Sequence, residues 1–192
     1  MTPYDYCLIA QEAYTAAPDI GVANSASRAI VRHTANGLCI AFRGSDDIAS
    51  WLADLHAAPL DVPGIGRFHE GFWNAWQAML IDTLAAIGGQ PVTLVGHSLG
   101  AALALACACD MTEAGNPPAA VYAFEPPRVS PDGNVSNILA GVPLYLCRNG
   151  IDVVPEVPPL WQHAGPIHAI GKARGPITDH LIENVLAALS TN

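Results

Sequence analysis

The sequence predicts an α/β fold in which helices cover both faces of a mostly parallel central sheet. Candidate strands and helices alternate from residue 72 onward, as they do when helical crossovers join parallel strands. The clearest unit lies within residues 92–109, where an apolar run at 92–95 indicates a buried strand and strong helix formers follow a short turn. With 192 residues the chain is long enough to bury a core unaided, and we expect one compact, minimal domain over residues 1–192.

The other elements are predicted from the spacing of apolar residues and from turn residues. Pro18 ends the first helix, and Asn36-Gly37 between two alternating segments is a strong hairpin signal. Clustered proline and glycine favour loops at residues 59–66 and 155–166. In chain order the sequence predicts a helix over 3–15, strands over 29–34 and 38–43, a short helix from Asp46, a helix over about 72–87, strands over 119–124 and 143–147, and a closing helix over 181–189.

Charge and hydropathy exclude several partners. Eight Lys and Arg against 17 Asp and Glu give a formal charge of −9 with no basic cluster, so we expect no nucleic-acid partner. Glycine and proline interrupt the uncharged stretch between Asp82 and Asp110, so we expect no transmembrane segment. Asp5 and Glu12 lie where a signal peptide would be apolar, which predicts a cytoplasmic protein; export by another route stays open.

The metal-binding and redox residue types show no site pattern. The five cysteines include no C-x-x-C pair and lie mostly in apolar runs, so we expect reduced, buried thiols. No His, Asp and Glu cluster has the spacing of metal ligands, and no glycine-rich phosphate loop follows a strand. The sequence therefore predicts neither a metal nor a cofactor.

The turn between strand and helix, Gly96-His97-Ser98-Leu99-Gly100, is the strongest functional signal. Glycines on both sides allow a strained serine backbone and a helix packed close to its strand. This geometry presents the hydroxyl of Ser98 at the sheet edge, close to the positive end of a helix dipole. Ser98 is therefore a candidate nucleophile on the nucleophile elbow of an α/β-hydrolase.

A serine nucleophile needs a histidine base and a carboxylate that orients it, following in the chain order Ser, Asp or Glu, His. Of the downstream histidines His163, His168 and His180, we favour His180 because it follows Asp179, a natural N-cap of the last helix. For the carboxylate we favour Asp152, which lies beyond the C-terminal end of a predicted strand, over three other carboxylates: Glu125, Asp132 and Glu156. The backbone N–H of Leu99 and the loop Arg43-Gly44-Ser45 are candidates for the oxyanion hole.

At this point the chain resembles the class 3 lipase family, α/β-hydrolases that include fungal triacylglycerol lipases and feruloyl esterases. The resemblance runs in the family's order over about residues 40–180. The matching stretches are Ala41-Phe42-Arg43-Gly44-Ser45 with Trp51 and Asp54-Leu55, Phe68-His69-Glu70-Gly71-Phe72, Gly96-His97-Ser98-Leu99-Gly100, Phe124-Glu125-Pro126-Pro127-Arg128-Val129, residues 149–158, and Asp179-His180.

The resemblance implies Ser98 as nucleophile, Asp152 as orienting acid and His180 as base, with Ser45 and Leu99 forming the oxyanion hole. Glu125 departs from the family pattern, which usually has glycine there. The family's mobile lid corresponds to residues 46–55, whose apolar side chains either face lipid when open or pack on the core; these are Ile48, Trp51, Leu52 and Leu55.

The sequence thus predicts a carboxylic ester hydrolase that forms an acyl-enzyme on Ser98 and acts on acylglycerols or other aliphatic acyl esters, with transient contact to a lipid interface. Two activities of the same family are alternatives, a feruloyl esterase and a phospholipase. An alternative of a different class is an inactive binding protein on the same fold, which the complete set of site residues disfavours.

Overall fold

The computed structural model describes residues 1–56 and 58–191. In chain order its elements are α1 (Pro3–Thr15), β1 (Ile20–Gly21), β2 (Arg28–Thr34), β3 (Gly37–Phe42), α2 (Ile48–Asp54), β4 (Pro59–Val62), β5 (Gly66–His69), α3 (Glu70–Gln77), α4 (Leu80–Ile87), β6 (Val92–His97), α5 (Leu99–Glu113), β7 (Ala120–Phe124), α6 (Asn134–Ile138), β8 (Leu144–Asn149), β9 (Ile167–Ile170) and α7 (Ile182–Leu189).

A seven-stranded sheet in the order β1-β2-β3-β6-β7-β8-β9 forms the centre of the fold. The strands β1, β2 and β3 are antiparallel neighbours, and from β3 to β9 each strand pairs in parallel with the next. This arrangement confirms the predicted, mostly parallel sheet. Since parallel strands end at one edge, the segments that follow β3, β6, β7 and β8 meet there.

Helices cover both faces of the sheet, as the sequence predicts. Along β3 the side chains of Leu38, Ile40 and Phe42 join the core under α3 and α5, whereas Cys39 and Ala41 join the core under α1 and α7. This alternation is the period of two expected of a strand that is buried on both faces. The helix α5 is buried throughout residues 99–109, which explains why this stretch carries no charge. All five cysteines are buried and unbonded.

Three local predictions differ from the structure. The helix predicted over 72–87 is two helices, α3 and α4, of which α3 packs against α5 and α4 lies against β1. The predicted loop at 59–66 lies largely in the hairpin β4–β5, whose turn uses left-handed Gly64 and Gly66. The edge strand β9 was not predicted, because it is short, half exposed and surrounded by proline-rich sequence.

Within the described part of the chain, no helix has the length and apolar character needed to cross a membrane. The described residues also contain no group of three or more His, Cys, Asp or Glu side chains that could hold a metal ion.

Candidate active site

Ser98 lies in the sharp turn that joins β6 to α5. Its backbone has φ 58° and ψ −126°, which is unusual for a residue with a side chain and marks a strained turn. A Cβ atom on Gly96 would collide with the carbonyl of Gly100, and one on Gly100 would collide with the carbonyl of Phe42. The two glycines therefore let strand, turn and helix approach as closely as the predicted elbow requires.

The hydroxyl of Ser98 is nearly inaccessible in this conformation. Ser98 is 1% exposed, and its Oγ has no hydrogen-bond partner among the described residues. Its backbone N–H donates to the carbonyl of Phe124 at 3.0 Å, which fixes the turn against β7. A catalytic hydrogen bond is often formed only when substrate binds, so an unpaired hydroxyl is compatible with a nucleophile.

A buried pair joins His180 to Asp152. The Nδ1 of His180 lies 2.7 Å from Oδ2 of Asp152, and the backbone N–H of Val154 donates to Oδ1 of the same carboxylate at 2.9 Å. Burial alone raises the pKa of Asp152, but its contacts with His180 and Glu125 outweigh the effect of burial and hold the pKa below its ordinary value. Asp152 is therefore an anion that accepts a hydrogen bond from the Nδ1–H of His180.

The loop that carries His180 is fixed by Asp179, although Asp179 is not the helix cap that the sequence suggested. The last helix has Leu181 at its N-cap position. The carboxylate of Asp179 instead accepts hydrogen bonds from the backbone N–H groups of Ile151, Arg174 and Gly175, at 2.9 to 3.3 Å. The segments that carry Asp152 and His180 are thereby tied together.

His97 supports the site from the elbow itself, and its ring lies 4.7 Å from that of His180. Burial lowers the pKa of His97 to about 3, so the ring is neutral. Its Nε2 donates to the carbonyl of His180 at 2.8 Å, and its Nδ1 therefore accepts from the hydroxyl of Tyr14 at 2.7 Å. His97 thus ties the elbow to the loop of His180, and the contribution of Tyr14 to this contact has no local signal in the sequence.

The other candidate bases and acids are engaged elsewhere. His163 bonds the carbonyl of Pro155, and His168 stacks on Tyr145. Asp132 accepts from the N–H of Asn134, and Glu156 pairs with two arginines, Arg128 and Arg148. Of the four carboxylates considered, only Asp152 contacts His180, and only Glu125 contacts Asp152.

Two cavities flank the site. The first, of about 470 Å³, is lined by both Ser45 and His180, with Ile48 of α2 at its wall. The second, of about 420 Å³, is lined by Leu99 together with Trp51 and Leu55. Ser45 and Leu99 thus border different cavities.

The helix α2 borders both cavities, and none of its residues is buried. Trp51 stacks on Phe72 with ring centroids 6.1 Å apart, and Leu55 also packs against the core. Ile48 lines the first cavity, while Leu52 is half-buried. Two of the four apolar residues in this segment therefore contact the core.

The parallel sheet, the serine elbow and the buried histidine–carboxylate pair at the carboxyl edge define an α/β-hydrolase. The model of the family described as Lipase (class 3) matches residues 39–161. The chain belongs to the class 3 lipase family, and both the predicted fold class and the predicted family are confirmed.

Among its relatives is the secreted mono- and diacylglycerol lipase A of Penicillium cyclopium, which is 32% identical over 161 residues, or 77% of this chain and 52% of the relative. The solved structure of the triacylglyceride lipase of Rhizomucor miehei has a TM-score of 0.66 at 26% identity, with 87% of this chain and 78% of that chain covered. A structure described as showing a serine protease triad in the catalytic centre of a triacylglycerol lipase has a TM-score of 0.63 at 28% identity, with 74% and 61% covered.

The chain spans about half the length of the Penicillium relative that it matches. That relative is named as secreted, and one solved structure of the Rhizomucor lipase is a complex with a propeptide. The prediction of a cytoplasmic protein is therefore wrong, because the negative residues near the start of this chain say nothing about how such relatives are exported.

Proposed function

We propose that the chain is a serine hydrolase of carboxylic esters and that its substrates are acylglycerols or other aliphatic acyl esters. The hydrogen bond between His180 and Asp152 is the observation that carries the proposal. Because Asp152 holds the proton on Nδ1 of His180, the Nε2 lone pair is available to accept a proton. A serine on a nucleophile elbow next to such a base is the arrangement that acyl transfer needs.

The mechanism follows from these protonation states. His180 Nε2 accepts the hydroxyl proton of Ser98 as Oγ bonds to the ester carbonyl carbon, and the carbonyl oxygen becomes an oxyanion. The N–H groups of Leu99 and Ser45 and the Ser45 hydroxyl are the proposed donors to this oxyanion. The tetrahedral intermediate collapses as Nε2–H protonates the leaving alkoxide, and water then releases the acid from the acyl-enzyme by the same two steps.

The second cavity supports the proposal that the substrate carries an acyl chain. Its walls include Trp51, Leu55, Phe72 and Leu99, and apolar walls of this kind suit a hydrocarbon chain. The relatives are named for mono- and diacylglycerol and for triacylglyceride hydrolysis, which supports glycerol esters as the substrate class.

A burst experiment tests the proposed nucleophile. Wild-type protein should release p-nitrophenol from aliphatic p-nitrophenyl esters in a burst, and Ser98→Ala should abolish both the burst and labelling by a fluorophosphonate. Ser190→Ala, on an exposed serine at the end of α7, is the matched control and should keep both. Undiminished turnover by Ser98→Ala would refute the proposal, and a wild-type protein that neither turns over nor reacts would favour the inactive binding protein.

We further propose that α2 is a lid. Ser98 is 1% exposed, and α2 lies between two cavities with Ile48 on one side and Trp51 on the other. Opening this helix would present the apolar side chains of residues 48–55 to a lipid surface. Hydrolysis of a short ester should therefore rise sharply as its concentration passes the solubility limit. A rate that continues smoothly through that limit would show that α2 is fixed.

A further inference from the structure

Glu125 follows directly after β7, at the sheet edge where the site lies. Its backbone has φ 52°, a left-handed conformation that is unfavourable for a residue with a side chain. The side chain is nevertheless retained there and is fully buried, with 0% exposure. A carboxyl group placed in this way has both a conformational and a desolvation cost, so its contacts must offset them.

The contacts of Glu125 leave one oxygen without a donor. Its Oε1 accepts a hydrogen bond from the backbone N–H of Asn149 at 2.8 Å. Its Oε2 is buried, and no N–H or O–H group of the described residues donates to it. The side chain contacts the carboxylate of Asp152, which is itself a hydrogen-bond acceptor. The two acceptors can form a hydrogen bond only if one of them carries a proton.

The charged groups around Glu125 do not supply a counter-ion. Arg148 is the nearby cation, but its guanidinium donates to the carbonyl of Asp152 at 2.9 Å and to Oε1 of Glu156 at 2.5 Å. The thiols of Cys7 on α1 and Cys147 on β8 also face Glu125, and burial raises the pKa of both, so they are neutral. Two adjacent buried carboxylates cannot both ionise in such surroundings.

The hydrogen bonds decide which carboxyl group keeps the charge. Asp152 receives hydrogen bonds from His180 and from the N–H of Val154, whereas Glu125 receives one, from Asn149. Hydrogen bonds to a carboxylate favour its charged form, so the proton belongs to Glu125. Burial and the neighbouring charge of Asp152 raise the pKa of Glu125 well above its ordinary value, in agreement with this assignment.

We propose that Glu125 is protonated and donates a hydrogen bond from Oε2 to the Asp152 carboxylate, which makes it a positioning residue for the Asp152–His180 pair. It would hold the carboxylate in the orientation in which Oδ2 faces Nδ1 of His180. The two carboxyl groups of Glu125 and Asp152 then carry one negative charge between them instead of two. The assignment of a proton to Glu125 stands on its own, whereas its effect on turnover rests on the proposed function.

The first experiment measures the proton through stability. A group whose pKa is raised by folding stabilises the protein fully below its unfolded pKa, about 4.3 for glutamate, and loses that contribution as pH rises toward the folded pKa. Between pH 5 and 7 the unfolding equilibrium constant of wild type should therefore increase relative to that of Glu125→Gln by up to about tenfold per pH unit. Glu113→Gln, on an exposed glutamate at the end of α5, is the matched control.

A ratio of wild-type to Glu125→Gln unfolding constants that is flat between pH 5 and 7 would overturn the proposal. If the variant does not fold, the wild-type protein still gives the answer. In protein labelled with ¹³C at glutamate Cδ, one resonance should keep the chemical shift of a protonated carboxyl group at pH 7. Six ionised glutamates at that pH would overturn the proposal equally.

The second experiment tests positioning through the pKa of His180, measured by NMR. Glu125→Gln keeps a neutral donor, so this pKa should stay as in wild type. If Glu125 were ionised, removing its charge would lower the pKa of His180, and that result would overturn the proposal.

Glu125→Met fills similar volume without a donor, and it should raise the pKa of His180 and lower kcat about tenfold with little change in KM. A Met variant equal to wild type in both would overturn the positioning role. The NMR and stability readouts need no turnover, so failure of the ester-hydrolase proposal would leave them interpretable.

Discussion

The loops that carry Asp152 and His180 are held in place by neighbouring side chains. Asp179 binds three backbone N–H groups of the surrounding loops, and Asn149 donates from its side chain to the carbonyl of Asp179 at 2.9 Å. His97 holds the carbonyl of His180 from the elbow side. The backbone that carries the imidazole of His180 is thus fixed from both sides, which would reduce the reorganisation needed for the proposed proton transfer.

Asp152→Asn should leave the fold intact and nearly abolish turnover. The amide cannot stabilise the imidazolium and favours the wrong histidine tautomer, so kcat should fall by about 10⁴-fold. The measurement is kcat on a soluble p-nitrophenyl ester, with the melting temperature as a check on folding. Asp132→Asn changes a carboxylate that caps its own loop, and it should retain wild-type kcat; a fall in both variants would point to a general loss of structure.

At the scale of elements, the close contact between β6 and α5 determines the elbow. Gly96 and Gly100 face carbonyl groups at distances that leave no space for a methyl group. The carbonyls belong to the backbone and cannot move like the end of a flexible side chain. The strand–turn–helix pattern could be read from the sequence because both glycines belong to the turn itself, whereas the contact of Gly100 with Phe42 on β3 has no local signal.

Gly100→Ala should destabilise the protein by about 3 kcal/mol or more, because the added Cβ would force α5 away from the end of β3. Gly141→Ala is the matched control, since a Cβ there meets nothing within 4 Å. Urea denaturation of the two variants measures the difference. Equal stabilities would contradict the close packing described for the elbow.

At the scale of the whole molecule, local signals were sufficient for the elbow and the sheet but not for the residues that support the site. His180 was preferred over two other histidines through Asp179 as a helix cap, yet Asp179 binds loop backbone up to 28 residues away. The contact of Tyr14 with His97 spans 83 residues. No proline or glycine marks the break near Met79 between α3 and α4, so a single helix was predicted there. The catalytic roles of Ser98, Asp152 and His180 and the oxyanion-hole roles of Ser45 and Leu99 stay predictions.

Buried histidines should make the protein lose stability in mild acid. Burial lowers the pKa of His69 to about 4, so its ring stays neutral in the folded protein while the unfolded chain takes up a proton below about 6.5. Its contribution is full above pH 6.5 and is lost as pH falls toward 4. His69→Met should therefore reduce the slope of the free energy of unfolding against pH between pH 6.5 and 5. The reduction is at most the slope that the uptake of one proton on unfolding produces. His33→Met, on an exposed histidine, is the matched substitution, and equal slopes in both variants would contradict the assignment.

The parallel order of β6, β7, β8 and β9 has a consequence for the kinetics of folding. The segments that carry Ser98, Asp152 and His180 meet at one edge of the sheet only after these strands have paired across long stretches of chain, and non-local pairing of this kind is slow. Partly folded molecules would contain every residue of the site and still lack the constellation. Recovery of fluorophosphonate reactivity during refolding should therefore lag behind the recovery of helical circular dichroism, and would serve as a marker for the last step of assembly.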